Sequence, residues 1–294
     1  MNGYGKAGAL FCLVFLSVGA TPQNPPVRAV PSVQQFLARR AVPSAHKFKV
    51  VKFVVNTKPD VDLRPSIQAN ALQIKNQGNR NTCSVFAVNF CHEFLWATQK
   101  NFGMGADFSE EYLNYVKNVA CNIKKDGGFF SQIDKGYQAW GVYMTGLVPY
   151  KPSYDSNYKV PQAYMDVAKK WDRAKADFIK VWNPNMGASD AQIQKSCQYL
   201  DQNVPVAGGF LWPNSLQFED KFGLPTMVVP AQRNQVYDGH SVALVGYKKS
   251  NLFAGGGYFI IRNSWGSGWG ESGYAYMPFD YVKKYANDLL AYHF

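Results

Sequence analysis

A helical pattern of apolar residues begins directly after a polar loop at residues 76–82. From there, apolar side chains recur three or four positions apart, the spacing that places them on one face of a helix. They are Cys83, Phe86, Ala87, Phe90, Cys91, Phe94 and Leu95. Asn81 or Thr82 can cap this helix, because both side chains accept hydrogen bonds from free backbone N–H groups. The pattern therefore predicts a helix with a cysteine at or near its first turn.

Other segments divide into helices first and strands later. Helical patterns occur at 108–116, at 131–142 and at 189–203, the last with Ser189 as its expected cap. Strand patterns follow at 240–247, 257–265 and 273–279. This order predicts an α+β fold in two lobes, a mainly helical one at about 58–150 and a mainly strand-rich one at 151–294.

The N-terminal residues differ from the rest of the chain. Residues 1–20 contain an early lysine, an apolar run and small residues near the end, a pattern typical of a secretory signal peptide. Residues 21–57 form a basic arm with five prolines and no acidic residue, and the β-branched run at 48–56 indicates a strand. We expect export, to the outside of the cell or to the periplasm, and a mature protein without a membrane segment.

Composition narrows the class of protein. Of the 294 residues, 47% are hydrophobic and 17% are charged, which excludes a largely disordered chain. The net charge of +11 suits acidic partners, but no dense basic run or nucleic-acid motif accompanies it, so an ordinary solvated basic surface is favoured. No nucleic-acid partner is expected, and the protein should be a monomer.

Cysteine usage is sparse for an exported protein. Five cysteines occur, and Cys12 leaves with the signal peptide. If Cys83 is a free thiol, at most one disulfide can form among Cys91, Cys121 and Cys197. No cysteine pair has metal-ligand spacing, so neither a metal nor another cofactor is expected. No Asn-x-Ser/Thr sequon occurs, which favours a bacterial source.

Cys83 is either a core residue or a nucleophile. A cysteine on an apolar helix face is usually core, as we expect for Cys91, but the first turn of a helix favours a thiolate. A nucleophile also needs a base, and His92 is rotated about 180° away on the same helix. His46 lies in the arm and His293 next to the C-terminus, whereas His240 begins a strand after a turn.

The remaining parts of a thiol catalytic site are present in the sequence. Asn263 ends a strand, where it can hold the tautomer of a histidine, and Trp265 can shield that hydrogen bond. Gln77 precedes Cys83 by six residues. Its side-chain amide and the Cys83 backbone N–H could together bind an oxyanion.

Three sequence blocks resemble the papain family of cysteine proteases. They are KNQGNRNTCSVFA, DGHSVALVGY and YFIIRNSWGSGWGESGY, in the family's order, and the likeness runs from about Val61 to the C-terminus. The resemblance implies a two-lobed fold with the active site in the cleft between the lobes. It also implies Cys83 as nucleophile, His240 as general acid and base, Asn263 as its orienter and Gln77 as oxyanion donor, acting through a thioester.

The same resemblance suggests residues that contact substrate. Gly127 and Gly128 match the family's glycine pair, whose backbone binds an extended peptide as an added strand. Phe129, together with Phe130, would make the adjacent pocket apolar, although DGG could also be a simple turn. Asp238 and Trp265 complete the expected substrate-binding set.

The chain also departs from the family pattern. Arg80 stands where many members have a cysteine, and Lys125 stands where its disulfide partner would be, so that bridge is absent at both ends. Ser84 replaces a common tryptophan. The C-terminal segment is more similar to bacterial members, and the long helical propeptide of eukaryotic members is missing.

The sequence therefore predicts an exported cysteine endopeptidase that acts on peptides or proteins. Two alternatives remain open, an inactive papain-like binding protein and an acyl transferase that uses the same site. Residues 21–57 are the only candidate for an intramolecular inhibitor, and their prolines favour an extended course that could cover the cleft.

Overall fold

Residues 58–100, 102 and 105–294 are described by the computed structural model of the protein. The expected signal peptide at 1–20, the basic arm at 21–57 and the strand at 48–56 lie outside these residues. Among the helices of the described part, none has both the length and the apolar character needed to cross a bilayer.

Seven α-helices form in the described part of the chain. In chain order they are α1 (Arg64–Ala69), α2 (Cys83–Gln99), α3 (Glu110–Cys121), α4 (Phe130–Trp140), α5 (Gln162–Ala168), α6 (Asp190–Asp201) and α7 (Phe279–Tyr285). A 3₁₀ turn spans Arg233–Gln235. The helices predicted near residues 83, 110, 131 and 190 are confirmed.

Helix α2 is more deeply buried than a one-sided apolar pattern predicts. Its polar residues Asn89, His92 and Glu93 are buried together with the apolar ones. It packs against the sheet on one side and against α3 and α4 on the other, so it is a core helix with no solvent face.

Side-chain caps begin two of the helices. The Ser189 hydroxyl accepts a hydrogen bond from the Gln192 N–H at 3.3 Å, and the Gln192 side chain accepts one from the Ser189 N–H at 3.0 Å. This reciprocal capping box confirms the cap predicted for α6. Ser109 caps α3 in the same way, by accepting from Tyr112 N–H at 2.9 Å.

A single nine-stranded sheet forms the second layer. The strands are β1 (Asp60–Asp62), β2 (Lys175–Lys180), β3 (Val206–Pro213), β4 (Phe218–Lys221), β5 (Leu224–Met227), β6 (Val236–Lys249), β7 (Gly257–Arg262), β8 (Tyr274–Pro278) and β9 (Ala286–His293). Their order is β2-β9-β3-β6-β7-β8-β5-β4, and β1 also pairs with β6. The expected α+β fold, with helices first and strands later, is therefore confirmed.

A bulge interrupts the pairing of β3 with β6. Phe210 lies opposite His240 and Leu211 lies opposite Asp238, so Gly239 is an extra residue with no partner on β3. Its φ of +117° is one that glycine adopts readily and other residues rarely adopt. Bulges re-aim neighbouring side chains, and this one immediately precedes His240. The expectation that His240 begins a strand after a turn is therefore wrong, because β6 starts at Val236 and continues through the bulge.

The C-terminal strand completes the packing of the helical layer. The ring of His92, on α2, stacks on Tyr137 of α4 with a centroid distance of 3.8 Å. Tyr292 of β9 contacts the same ring at 4.3 Å. Both ring nitrogens of His92 are buried without a hydrogen-bond partner among the described residues, so His92 is a packing residue that faces away from Cys83.

Replacing His92 by Phe should make the protein less sensitive to acid. Burial lowers the pKa of His92 to about 3, whereas a histidine in the unfolded chain titrates near pH 6.5. The contribution of this pKa shift to the free energy of unfolding is on the order of several kcal/mol. It is fully present above about pH 6.5 and is lost as the pH falls toward 3. The free energy of unfolding in urea should therefore fall less between about pH 7.5 and pH 4 in His92→Phe than in its parent.

His293→Gln is the matched control, since His293 is only partly buried, and it should keep the parental pH dependence. An equal loss of stability in His92→Phe and its parent would contradict the assignment.

Candidate active site

Cys83 is the first residue of α2 and lies beside the bulge in β6. Its Sγ is 4.0 Å from the carbonyl oxygen of Gly239, the residue that precedes His240. The preceding Thr82 is buried, and its hydroxyl hydrogen-bonds to the Tyr150 hydroxyl at 2.7 Å. Thr82 is the N-cap of α2, but its side chain makes no capping hydrogen bond, so the cap expected from Asn81 or Thr82 is wrong because the hydroxyl bonds to Tyr150 instead. The buried helix and this anchored threonine fix the thiol at the junction between the helices and the sheet.

His240 is held by Asn263 and enclosed by two tryptophans. Its Nε2 lies 2.8 Å from Asn263 Oδ1. The same Oδ1 accepts a hydrogen bond from the backbone N–H of Ser264 at 2.8 Å, which identifies it as the amide oxygen. Nε2 must therefore carry the proton, and Nδ1 of the neutral ring is left free to accept one.

The aromatic enclosure keeps water away from this hydrogen bond. Trp265 lies against the imidazole at a centroid distance of 4.4 Å, and Trp212 meets it edge-on at 4.5 Å. Only 4% of the surface of His240 is exposed. The sequence analysis identified Trp265 but missed Trp212, which comes from β3 and carries no local signal beyond being an aromatic residue in a strand.

Burial favours the neutral form of both reacting groups. It lowers the pKa of His240 to about 4, although the hydrogen bond to Asn263 acts in the opposite direction. It also raises the pKa of the Cys83 thiol, against hydrogen bonds from Ser241 and Ser84. The helix N-terminus was expected to favour the thiolate, but desolvation outweighs it here. A thiolate–imidazolium pair must therefore be stabilised by the attraction between its two charges, which is strong away from water.

Gln77 is buried, and its side-chain amide is fixed in one orientation. Its Nε2 donates to the carbonyl oxygen of Arg80 at 2.8 Å, and its Oε1 accepts from the Ser264 hydroxyl at 2.7 Å. Its backbone N–H also donates to the Ser264 carbonyl at 2.9 Å. The amide nitrogen has a second hydrogen, which none of these contacts uses. Ser264, which the sequence analysis overlooked, thus connects Gln77 to Asn263.

The glycine pair lies against the loop that precedes Cys83. Gly127 has a φ of +56°, and a Cβ placed on it would come within 2.1 Å of the Asn81 carbonyl oxygen. Its own carbonyl oxygen accepts from the buried Lys117 ammonium at 2.6 Å. The N–H of Gly128, expected to bind substrate, donates to the Ser84 hydroxyl at 3.2 Å. Only a glycine fits at position 127, because any side chain would collide with the loop that precedes Cys83.

The two phenylalanines after the glycine pair point in different directions. Phe129 is 41% exposed and contacts the equally exposed Trp182 at a centroid distance of 4.9 Å. Phe130 is only 1% exposed, because it begins α4 and turns into the core. The expectation that both line an apolar surface pocket is therefore wrong for Phe130. Phe129 and Trp182 form the exposed apolar surface instead.

None of the other three cysteines within residues 58–294 forms a disulfide. Cys91 and Cys197 are buried thiols and Cys121 is partly exposed, and all are free along with Cys83. Burial raises the pKa of Cys197 to about 12 and raises that of Cys91 as well, so neither is a thiolate at neutral pH. The core assignment of Cys91 agrees with its complete burial.

Most of the chain matches a known family of proteins. Residues 57–286 match the sequence profile described as papain family cysteine protease. Vignain of Phaseolus vulgaris is 49% identical over 251 residues, which cover 83% of this chain and 61% of vignain. An uncharacterized peptidase C1-like protein of Acanthamoeba polyphaga mimivirus is 29% identical over 247 residues, 80% of this chain and 75% of that protein.

The fold is also similar to that of solved proteases. Xylellain, a cysteine protease from Xylella fastidiosa, superposes with a TM-score of 0.64 and 21% identity, over 81% of this chain and 87% of xylellain. This similarity confirms the two-lobed fold and the expected likeness to a bacterial member. Together with the match over residues 57–286, it shows that the chain belongs to the papain family of cysteine proteases.

Proposed function

We propose that this protein is an exported cysteine endopeptidase in which Cys83 is the nucleophile and His240 the general acid and base. The hydrogen bond between His240 Nε2 and Asn263 Oδ1 is the observation that carries the proposal. It fixes the tautomer in which Nδ1 can accept the thiol proton, and a buried imidazole in a purely structural role has no need of that arrangement. The N-terminal sequence, with its signal-peptide pattern, supports export from a bacterial cell.

Acylation begins with a proton transfer from the partly exposed thiol to the buried imidazole. The Cys83 thiol gives its proton to His240 Nδ1, and the thiolate attacks the carbonyl carbon of the scissile peptide bond. The free N–H of Gln77 and the backbone N–H of Cys83 bind the oxyanion of the tetrahedral intermediate. The imidazolium then protonates the leaving amine, the C–N bond breaks and a thioester remains.

Deacylation uses the same groups with water as the nucleophile. His240 Nδ1 takes a proton from water, whose oxygen attacks the thioester carbonyl. The C–S bond breaks, Cys83 recovers the proton from the imidazolium and the carboxylic acid product leaves. Because Trp212 and Trp265 exclude other water from the imidazole, the charged intermediate states are stabilised by fixed partners rather than by solvent.

Phe129 and Trp182 are proposed to contact the substrate beside the glycine pair. Both are about 40% exposed, and they touch each other. Large exposed aromatic rings next to a cleft favour apolar side chains of an extended peptide. Trp265 and the bulged segment at Asp238 are proposed to border the reacting bond, because they adjoin His240 in space and in sequence respectively.

A mechanism-based epoxide should label Cys83 and no other residue. The reason is that Cys83 alone among the described thiols is both partly exposed and beside the carbonyl oxygen of Gly239, the residue that precedes His240. Mass spectrometry after incubation should show one adduct, and Cys83→Ala should lose both the adduct and peptide hydrolysis. Cys91→Ala is the matched control and should keep hydrolysis within a few fold of wild type.

Each alternative function predicts a different result in the same experiment. An inactive binding protein would give no adduct. An acyl transferase would give the adduct but would transfer the acyl group to an added amine in preference to water. Residual hydrolysis by pure Cys83→Ala would refute the assignment of the nucleophile.

Gln77→Ala should lower kcat by on the order of 10²–10³ while the protein still folds, since one oxyanion donor is removed. Gln77→Glu should be slower than the neutral Gln77→Ala, because it places a negative charge where the oxyanion forms. Steady-state kinetics on a fluorogenic peptide test this. A change below about threefold in Gln77→Ala would show that Gln77 only supports the loop.

Residues 21–57 are proposed to block the cleft until they are cleaved off near residues 56–61. The support is their basic, proline-containing sequence and their position before the protease domain. Proteins that begin at Thr21 and at Lys58 should differ, the shorter one reacting faster with the epoxide inhibitor. Equal labelling rates in two equally folded proteins would rule out the block.

A further inference from the structure

Arg80 is a buried cation in the loop between Gln77 and Cys83. Only 5% of its surface is exposed. Its guanidinium binds Asp126 through two hydrogen bonds, Nε to Oδ2 at 3.0 Å and Nη2 to Oδ1 at 2.7 Å. Its Nη1 binds Glu111 of α3 at 2.5 Å. The side chains of both carboxylates are almost completely buried as well, so the three residues form an ion cluster shielded from solvent and salt.

The backbone of Arg80 organises the oxyanion loop. Its carbonyl oxygen accepts the Gln77 side-chain N–H at 2.8 Å and the Thr82 N–H at 2.9 Å. Its own N–H donates to the Gln77 carbonyl at 3.4 Å. The orientation of the Gln77 amide and of the residue before Cys83 therefore depends on where Arg80 is held.

The other end of the cluster organises the glycine pair. Asp126 directly precedes Gly127 and accepts a hydrogen bond from the Asn114 side chain at 3.0 Å. That same side chain accepts from Gly127 N–H at 3.1 Å. One guanidinium thus connects the loop that carries the oxyanion donor with the loop that is proposed to bind the substrate backbone.

The cluster is better suited to fixing geometry than to adding stability. Desolvation of three charges offsets much of their attraction, and buried ion clusters can often be replaced by apolar residues with little loss of stability. A bidentate guanidinium–carboxylate pair, in contrast, fixes both the distance and the angle between its partners. The ring of Tyr150, 4.5 Å from the guanidinium, restricts Arg80 further.

We propose that Arg80 is a positioning residue for peptide hydrolysis, and that with Asp126 and Glu111 it sets the separation of the oxyanion loop and the glycine pair. Arg80 and Lys125 replace the two cysteines that commonly form a bridge in the family, and Asp126 is adjacent to the second of them. An ion cluster therefore joins here the two loops that a disulfide joins elsewhere, and it does so independently of the redox state of the surroundings. The inference rests on the proposed function of Cys83 and Gln77.

The test compares two reactions of the same thiol. Alkylation of Cys83 by iodoacetamide needs neither an oxyanion donor nor a bound peptide, whereas peptide hydrolysis needs both. Asp126→Asn and Arg80→Gln should lower kcat/KM for a peptide by about 10- to 100-fold, with kcat reduced and KM increased, and should leave the alkylation rate within about threefold. The double variant should be no slower than the slower single variant, because the two residues act as one unit.

An apolar version of the cluster separates positioning from stability. Arg80→Met, Glu111→Leu and Asp126→Leu together remove the three charges of the cluster, and the nearby Lys117 ammonium keeps its hydrogen bonds to the carbonyl oxygens of Lys125 and Gly127. We expect this triple variant to keep the melting temperature within a few degrees and the alkylation rate within about threefold, but to hydrolyse peptides as slowly as the single variants. Asp172→Asn, which breaks an exposed ion pair with Lys100, is the control. Its melting temperature, alkylation rate and peptide hydrolysis should all match those of the wild type.

The outcomes distinguish the two proposals. Full hydrolysis by the triple variant, or by Asp126→Asn and Arg80→Gln, would overturn the positioning role of Arg80 and leave the proposed function intact. A parallel loss of hydrolysis and alkylation in folded single variants would also overturn it, because the cluster would then act on the thiol itself. Alkylation of wild-type protein without any peptide hydrolysis would overturn the proposed function instead.

Discussion

The burial of helix α2 is the constraint on which the rest of the site depends. A helix enclosed on all sides can neither shift nor rotate without disturbing both the helices and the sheet, because protein interiors are close-packed. Its first residue, Cys83, is therefore placed by the core and not by the mobility of a loop. On the sheet, the bulge leaves Gly239 without a partner on β3, and its carbonyl oxygen lies 4.0 Å from the Cys83 sulfur at the start of α2.

The electrostatics of the site follow from that enclosure. Removal of water disfavours a charge on either Cys83 or His240 alone, as their opposite pKa shifts show. In the proposed mechanism, it also strengthens the attraction between the thiolate and the imidazolium once the proton has moved from Cys83 to His240. The site therefore favours states without net charge, and Asn263 contributes by holding the ring in the tautomer that can accept the proton.

The parts of the structure that depend on local pattern could be predicted from the sequence. The helix after residue 82, the Ser189 cap and the strands near His240 and Asn263 follow from spacing and from capping chemistry, which act over a few residues. Contacts between distant segments could not be predicted in this way. Trp212 reaches His240 from another strand, and Phe130 turns inward because α4 packs against its neighbours.

Arg80 shows the same limit in a different form. The sequence reveals that a cysteine is missing, but it does not reveal which groups surround the side chain that replaces it. The burial of Arg80 and its two carboxylate partners arises only when α3 and the loop at Asp126 are brought beside it. In the sequence, Arg80 marks only the loss of a disulfide. In the structure, its ion pairs with Glu111 and Asp126 provide another connection between the same two loops.

The contact of Tyr292 with His92 has a consequence for the order in which the chain can fold. The helical layer is encoded early, yet its aromatic core is completed by a strand encoded near the far end of the chain. Contacts between residues so distant in sequence form slowly, because the long loop between them must close before the contacts can stabilise the fold. During synthesis the helices can form while the ring of His92 is covered on one side only. Helix α2 should therefore become fully rigid only late in folding, when β9 docks. During translation, the nascent chain should not yet have a fully assembled active site.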